Sequence, residues 1–180
     1  FNEGLAAVRS DGKWGFVNTE GNLVVDCIYD STIWYFKNGF TQVKLNHKWG
    51  VINAEGKRVI DCIYDEVSVD NNGLAKVQLN GKWGFVNTEG KQVVDCIYDD
   101  VWWFYEDFAK VQLNGKWGYI DTESKLVVDC IYDDAWSFSD GLARVQSNGK
   151  WGVINTELKP VVDCIYDEID KFQDGLARVQ

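Results

Sequence analysis

Five cysteines, Cys27, Cys62, Cys96, Cys130 and Cys164, recur 34 or 35 residues apart, each inside the same pentapeptide, Asp-Cys-Ile-Tyr-Asp. Thiolates could hold a soft metal or pair as disulfides. That spacing matches no zinc-ligand signature, and an odd number leaves one thiol over. If successive copies stacked at the ~5 Å of neighbouring strands the thiols could meet, but at the ~10 Å of stacked sheets they could not. The reading adopted is that each is a small buried hydrophobe. Free thiols favour a reducing compartment, with a surface or secreted location left open. The paired aspartates of the pentapeptide, such as Asp95 and Asp99, would lie ~13 Å apart along a strand. That is too far for one calcium ion or for a glycosidase pair at ~5 to 9.5 Å. They are expected to accept hydrogen bonds from turn amides or to cap the neighbouring copy. Asp99-Asp100 and Asp133-Asp134 leave open a weak calcium site between copies. The single histidine, His47, falls in a turn, and neither Gly-x-Ser-x-Gly nor a glycine-rich phosphate loop is present. The expectation is no catalytic residue, no metal and no cofactor.

The elements that would position such residues are set by an internal repeat. Lys-Trp-Gly occurs at Lys13, Lys48, Lys82, Lys116 and Lys150, in step with the cysteines. A third marker, aromatic or Leu, small, any residue, Val, begins at Leu5, Phe40, Leu74, Phe108, Leu142 and Leu176. The expected units are 5–39, 40–73, 74–107, 108–141 and 142–175, with the start of a sixth at 176–180. A sixth marker without a following Trp-Gly, together with Phe1 at the start and no methionine, suggests a segment of a longer array.

Each unit reads as β structure. Leu74 to Leu79 alternates, Asn80-Gly81 is a two-residue hairpin signal because a type I′ turn needs φ above zero at both residues, and Trp83 to Val86 resumes the strand. Asp11-Gly12, Asn46-His47, Asn114-Gly115 and Asn148-Gly149 repeat the turn. A second connection, Asn87-Thr88-Glu89-Gly90, places glycine in a left-handed position and leads into a β-branched strand through Tyr98. Tandem three-stranded antiparallel meanders follow, with essentially no helix. Apolar residues on both faces of the later strands require cover on both, which neighbouring meanders would supply. The expected fold is all-β: an open, curved superhelical or propeller-like repeat array, with a closed five-bladed β-propeller as the alternative.

A unit of the form GLAKVQLNGKWGFVNTEGKQVVDCIYDDV resembles the WG-repeat (KWG-repeat) family of bacterial β-rich proteins over essentially the whole chain. It departs at His47, and at Ser124 and Leu158 where other copies carry glycine. The resemblance implies an all-β repeat array with a binding or scaffolding role and no enzymatic activity of the repeat itself.

A net charge of −10 disfavours nucleic acid and anionic lipid as partners. The longest apolar run, Val101 to Tyr105, is far short of the ~20 residues a membrane helix needs. Partners are therefore sought among proteins. Five of the nine tryptophans, Trp14, Trp49, Trp83, Trp117 and Trp151, belong to Lys-Trp-Gly and are assigned to the repeat core, as are Tyr29, Tyr64, Tyr98, Tyr132 and Tyr166. With the extra residue of the first unit placed at Ser31-Thr32, the stretches after Tyr-Asp align as Trp34-Tyr35, Ser68-Val69, Trp102-Trp103, Trp136-Ser137 and Asp170-Lys171. A position that takes Trp in some copies and Ser or Asp in others does not belong in a packed interior. Trp34, Tyr35, Trp102, Trp103, Tyr105 and Trp136 are accordingly the candidate binding surface, expected along one edge of the array. A protein-binding scaffold is the leading reading. The alternatives are a structural rod that self-associates through terminal strands near Leu5 and Leu176, and glycan binding on the aromatic row.

Overall fold

The computed structural model describes residues 1–70, 73–172 and 177–179. Nineteen strands and no helix occur among them, arranged in five antiparallel sheets. The first holds β1 (Leu5–Ser10), β2 (Lys13–Asn18) and β3 (Leu23–Tyr29). The second holds β4 (Ser31–Thr32), β5 (Phe40–Leu45), β6 (Lys48–Asn53) and β7 (Arg58–Tyr64). The third holds β8 (Glu66–Val69), β9 (Leu74–Leu79), β10 (Lys82–Asn87) and β11 (Gln92–Tyr98). The fourth holds β12 (Asp100–Val101), β13 (Phe108–Leu113), β14 (Lys116–Asp121) and β15 (Leu126–Tyr132). The fifth holds β16 (Asp134–Ala135), β17 (Leu142–Ser147), β18 (Lys150–Asn155) and β19 (Pro160–Tyr166). The chain divides into two compact units, Phe1–Cys96 and Ile97–Gln180.

The three-stranded meander is present in every copy, and the residues after Tyr-Asp add a short fourth strand to the following sheet. Val101, for example, pairs with Val111 rather than with its own repeat. The first sheet lacks that strand, so β1, which begins at Leu5, is its edge. Leu176, the other terminal position singled out from the sequence, lies outside the described residues, as does Gln180.

Local chemistry explains the turns. Asn80 and Gly81 take φ of 52° and 77°, and Asn46 and His47 take 51° and 67°, so the hairpin keeps its left-handed form even where glycine is missing. In the second connection Asn87 Oδ1 accepts the amides of Glu89 and Lys91, and the Gly90 N–H donates to Asn87 O. The side chain thus folds the loop. Ser124 and Leu158 occupy the glycine position of that loop at φ of 69° and 63°, in the left-handed region that disfavours a side chain.

The glycine of Lys-Trp-Gly has a separate reason. A Cβ on Gly118 would lie 2.4 Å from Val128 O, because β15 crosses directly over β14 there. Between Trp117 and Tyr119 stands Gly118 alone, opposite the three residues Asp129, Cys130 and Ile131. This bulge presses the pentapeptide onto the glycine and lets the Cys130 thiol reach across to Val111 O at 3.8 Å. The same crossing occurs over Gly15, Gly50, Gly84 and Gly152. All five cysteines are free and half-buried. Burial raises the thiol pKa of Cys62, Cys96, Cys130 and Cys164 above its ordinary value.

The bulge also corrects the expectation that both faces of the third strand are covered. Ile28, Ile63, Ile97, Ile131 and Ile165 are exposed, since within the bulge the cysteine turns inward and leaves the aspartate and isoleucine beside it facing out. In each unit the core instead lies between sheets. Phe16, Val25, Tyr29, Phe36, Val43 and Ile52 form one cluster in the first unit, and Tyr119, Ala135, Phe138, Ala143, Val145 and Ile154 form one in the second.

Candidate binding surface

Within each unit, neighbouring copies are joined by the last aspartate of the pentapeptide. Asp65 accepts Lys48 Nζ of its own Lys-Trp-Gly at 2.5 Å, and its second oxygen accepts the Asn80 amide in the next hairpin turn at 2.7 Å. Asp133 joins Lys116 and the Asn148 amide in the same way. The carboxylate pKa values of Asp30, Asp65 and Asp133 are held below the ordinary value, first by the hydrogen bond from the lysine. Asp134 uses one oxygen on the Ala135 amide. Among the described residues no group of three or more His, Cys, Asp or Glu side chains could hold a metal ion.

The Lys-Trp-Gly tryptophans are half-buried, and Trp14 and Trp117 pack against the margins of two clusters rather than inside them. Four of them carry a cation over the ring: Arg9 on Trp14, Lys44 on Trp49, Lys76 on Trp83 and Lys110 on Trp117. Trp151 is also half-buried. Tyr29, Tyr64 and Tyr98 are buried, while Tyr132 and Tyr166 are half-buried.

Trp34, Tyr35, Trp102, Tyr105 and Trp136 are exposed, and Trp103 is half-buried. Backbone pairing redraws their alignment. Thr32 pairs with Val43 as Val101 pairs with Val111, and the Ile33 amide donates to Gln42 O as the Trp102 amide does to Lys110 O. The residue equivalent to Trp102 and Trp136 is therefore Ile33, and the extra residue of the first copy falls at Trp34-Tyr35, not at Ser31-Thr32. Thr32 fits the buried valine position because its hydroxyl lies 2.9 Å from Gln42 O and 3.0 Å from Ile33 O. Trp34 packs instead beside Trp14, ring centroids 6.1 Å apart, at a shallow cavity with Phe1 and Leu5.

In the second unit the arrangement is different. The Trp102 and Trp136 amides donate to Lys110 O and Arg144 O, both at 2.9 Å, which sets each tryptophan beside a basic residue of the adjoining strand. Lys110 Nζ lies 4.6 Å from the Trp102 centroid and 4.3 Å from that of Trp117, and donates to Ala135 O at 2.8 Å. Burial lowers its pKa, opposed by the charges of Asp134 and Asp100. Arg144 Cζ lies 4.5 Å from the Trp136 centroid, and its Nη1 donates to Ile169 O at 2.7 Å. The Tyr119 hydroxyl, whose pKa burial drives far above the ordinary value, donates to Trp136 O at 2.6 Å. Its ring meets buried Phe138 at 5.0 Å.

Trp102, Lys110, Trp136, Phe138 and Arg144 line an open cleft of about 580 Å³, with Tyr105, Lys171 and Phe172 also on its border and Trp102, Tyr105 and Trp136 exposed. Of the six surface residues singled out from sequence, three meet here. Trp34 and Tyr35 belong to the other unit, and Trp103 lies outside the lining. Sequence reasoning did not find Lys110, Arg144 and Lys171. A signal for the first two existed: a basic residue two positions before the glutamine that pairs with the Lys-Trp-Gly tryptophan, as in Lys110-Val111-Gln112.

Five meanders, joined within each unit through lysine and aspartate and with four of their tryptophans against basic residues, define a tandem β-repeat protein. The chain belongs to the WG containing repeat family, whose unit matches residues 1–14, 14–49, 49–83, 83–117, 117–151 and 151–180. No curated protein matches the sequence. Among solved structures it is similar to a eukaryotic initiation factor, with a TM-score of 0.55 and 13% identity over 98% of this chain and 57% of that one. It is also similar to Kluyveromyces lactis Hsv2, with a TM-score of 0.42 and 8% identity over 88% of this chain and 58% of that one. The chain thus spans little more than half the length of either, and the first likeness is one of fold alone.

Proposed function

We propose that this repeat array is a noncatalytic protein-binding module whose contact surface is the cleft of the second unit. The observation that supports this most is the convergence of exposed Trp102, Tyr105 and Trp136 around one concave space. Exposed aromatic side chains offer large contact area at low conformational cost and are enriched among residues that dominate binding energy. Lys110 against Trp102, Arg144 against Trp136 and the Tyr119 bond to Trp136 O hold the two indoles in place before any partner arrives, which lowers the ordering cost of association.

Selection from a random peptide display library tests the reading. The intact chain should enrich peptides whose binding disappears in the Trp102→Ala, Trp136→Ala double variant and survives in Trp34→Ala. Equal enrichment on wild type and the double variant would remove the cleft from the account.

A further inference from the structure

We infer that the cleft between Trp102 and Trp136 takes an acidic peptide segment, one that sets an aromatic or aliphatic side chain against the tryptophans and a carboxylate against Arg144 and Lys171. The inference rests on the protein-binding reading and adds the chemistry of the partner.

Charge complementarity carries it. The chain as a whole is strongly acidic, with a net charge of −10. Among the described residues, those lining this cleft nevertheless include three cations, Lys110, Arg144 and Lys171, against one carboxylate, Asp134, with Asp100 and Asp170 acting on Lys110 and Arg144 from outside the lining. An anionic ligand is repelled by most of the surface and attracted at this patch.

The cations are not equivalent. The Lys110 ammonium is enclosed by two indole rings and the Ala135 carbonyl, so it acts on a ligand through its field rather than by direct contact. Arg144 commits Nη1 to Ile169 O, and a guanidinium has five N–H donors. It rests against Trp136 with its charge at the cleft wall. Lys171 is exposed at the border. A planar guanidinium beside a mobile ammonium suits a carboxylate, which accepts from the fork of the first and the point charge of the second.

The rings point the same way. Trp102 and Trp136 each already hold a cation against the indole. A second cation brought to either ring would meet the first as a like charge, so basic peptides and quaternary ammonium groups are disfavoured. Apolar and aromatic groups keep the full benefit of the exposed ring area.

The experiment uses three labelled octapeptides of alternating character, Glu with Phe, Gln with Phe and Lys with Phe, titrated with the whole chain by fluorescence anisotropy. The Glu peptide should bind about tenfold more tightly than its Gln counterpart, and the Lys peptide more weakly than both. Lys171→Glu, at an exposed site, should abolish the preference for Glu over Gln without changing the melting temperature, and Arg144→Gln should reduce it. If the Gln and Glu peptides bind equally and both are lost in the Trp102→Ala, Trp136→Ala variant, the acidic partner is wrong and the protein-binding cleft stands. Selection of neutral or basic sequences from the display library would overturn the acidic partner in the same way. If no peptide binds while an immobilised glycan is retained through the same two tryptophans, both readings fail.

Discussion

The connections after Tyr-Asp in the first and fourth copies differ by one residue and end in different chemistry. In the fourth, Trp136 follows Ala135 directly, pairs with Arg144 and opens onto a cleft. In the first, Ile33 takes that place, and Trp34, displaced by the insertion, turns toward Trp14. What a tryptophan does in this fold depends on the strand residue its amide faces, and that is set by its distance from the preceding tyrosine: Trp102, Trp136 and Ile33 each stand four residues on, Trp34 five. The basic residue shows the same dependence. It sits two positions before the glutamine opposite the Lys-Trp-Gly tryptophan in Lys110 and Arg144, whereas Gln42 stands there in the second copy and the cation is Lys44, directly opposite Trp49.

The comparison breaks most severely if the shared frame is disturbed. Gly50→Ala places a methyl group 2.5 Å from Ile60 O, a backbone atom that has no room to yield. It should cost about 3 kcal/mol and lower the melting midpoint by roughly 10 °C, as thermal denaturation will record. Trp102→Ala with Trp136→Ala should leave stability within about 1 kcal/mol per site, because both side chains are exposed, while removing peptide binding. Trp34→Ala should leave binding intact. Ser124→Gly should stabilise by about 0.5 kcal/mol, since it relieves a left-handed φ of 69° and regains less than the full benefit because glycine is freer when unfolded. Denaturant midpoints will show the sign.

The smallest effect concerns the joints between copies. The carboxyl pKa values of Asp30, Asp65 and Asp133 are depressed below the ordinary 3.8, so these pairs support the fold at pH values above 3.8 and lose that support as pH falls through the lower folded values. Carboxyl ¹³C titration should place all three midpoints below that of a free aspartate. Exposure and salt screening keep their individual contribution small.

Much of the repeat frame was legible in the sequence because each signal was local. Asn-Gly turns, the left-handed loop position and the aspartate reaching a neighbouring turn all followed from chemistry within a few residues, and His47 kept the turn geometry without glycine. The exposure of Trp102 and Trp136 was legible from their replacement by serine and aspartate elsewhere, whereas Trp34, though exposed, lies in the insertion and has no such counterpart. The insertion site was not, since Ile33 is apolar and matches the valine position as well as Thr32 does until the Thr32 hydroxyl bonds are seen. The exposed isoleucines escaped because alternation assumes an unbroken register, and the bulge over each Lys-Trp-Gly glycine interrupts it. The cleft's charge escaped because Lys110, Arg144 and Lys171 are spread over 62 positions of sequence and meet only in the folded unit.

Fluorine NMR of the chain carrying 5-fluorotryptophan, titrated with the Glu and Phe octapeptide, tests the central claim most directly because all nine tryptophans report at once. The resonances of Trp102 and Trp136 should move together with one dissociation constant while those of Trp34, Trp14 and Trp49 stay fixed. Movement of Trp34 with Trp102 and Trp136 unchanged would contradict the claim that the cleft of the second unit is the binding surface.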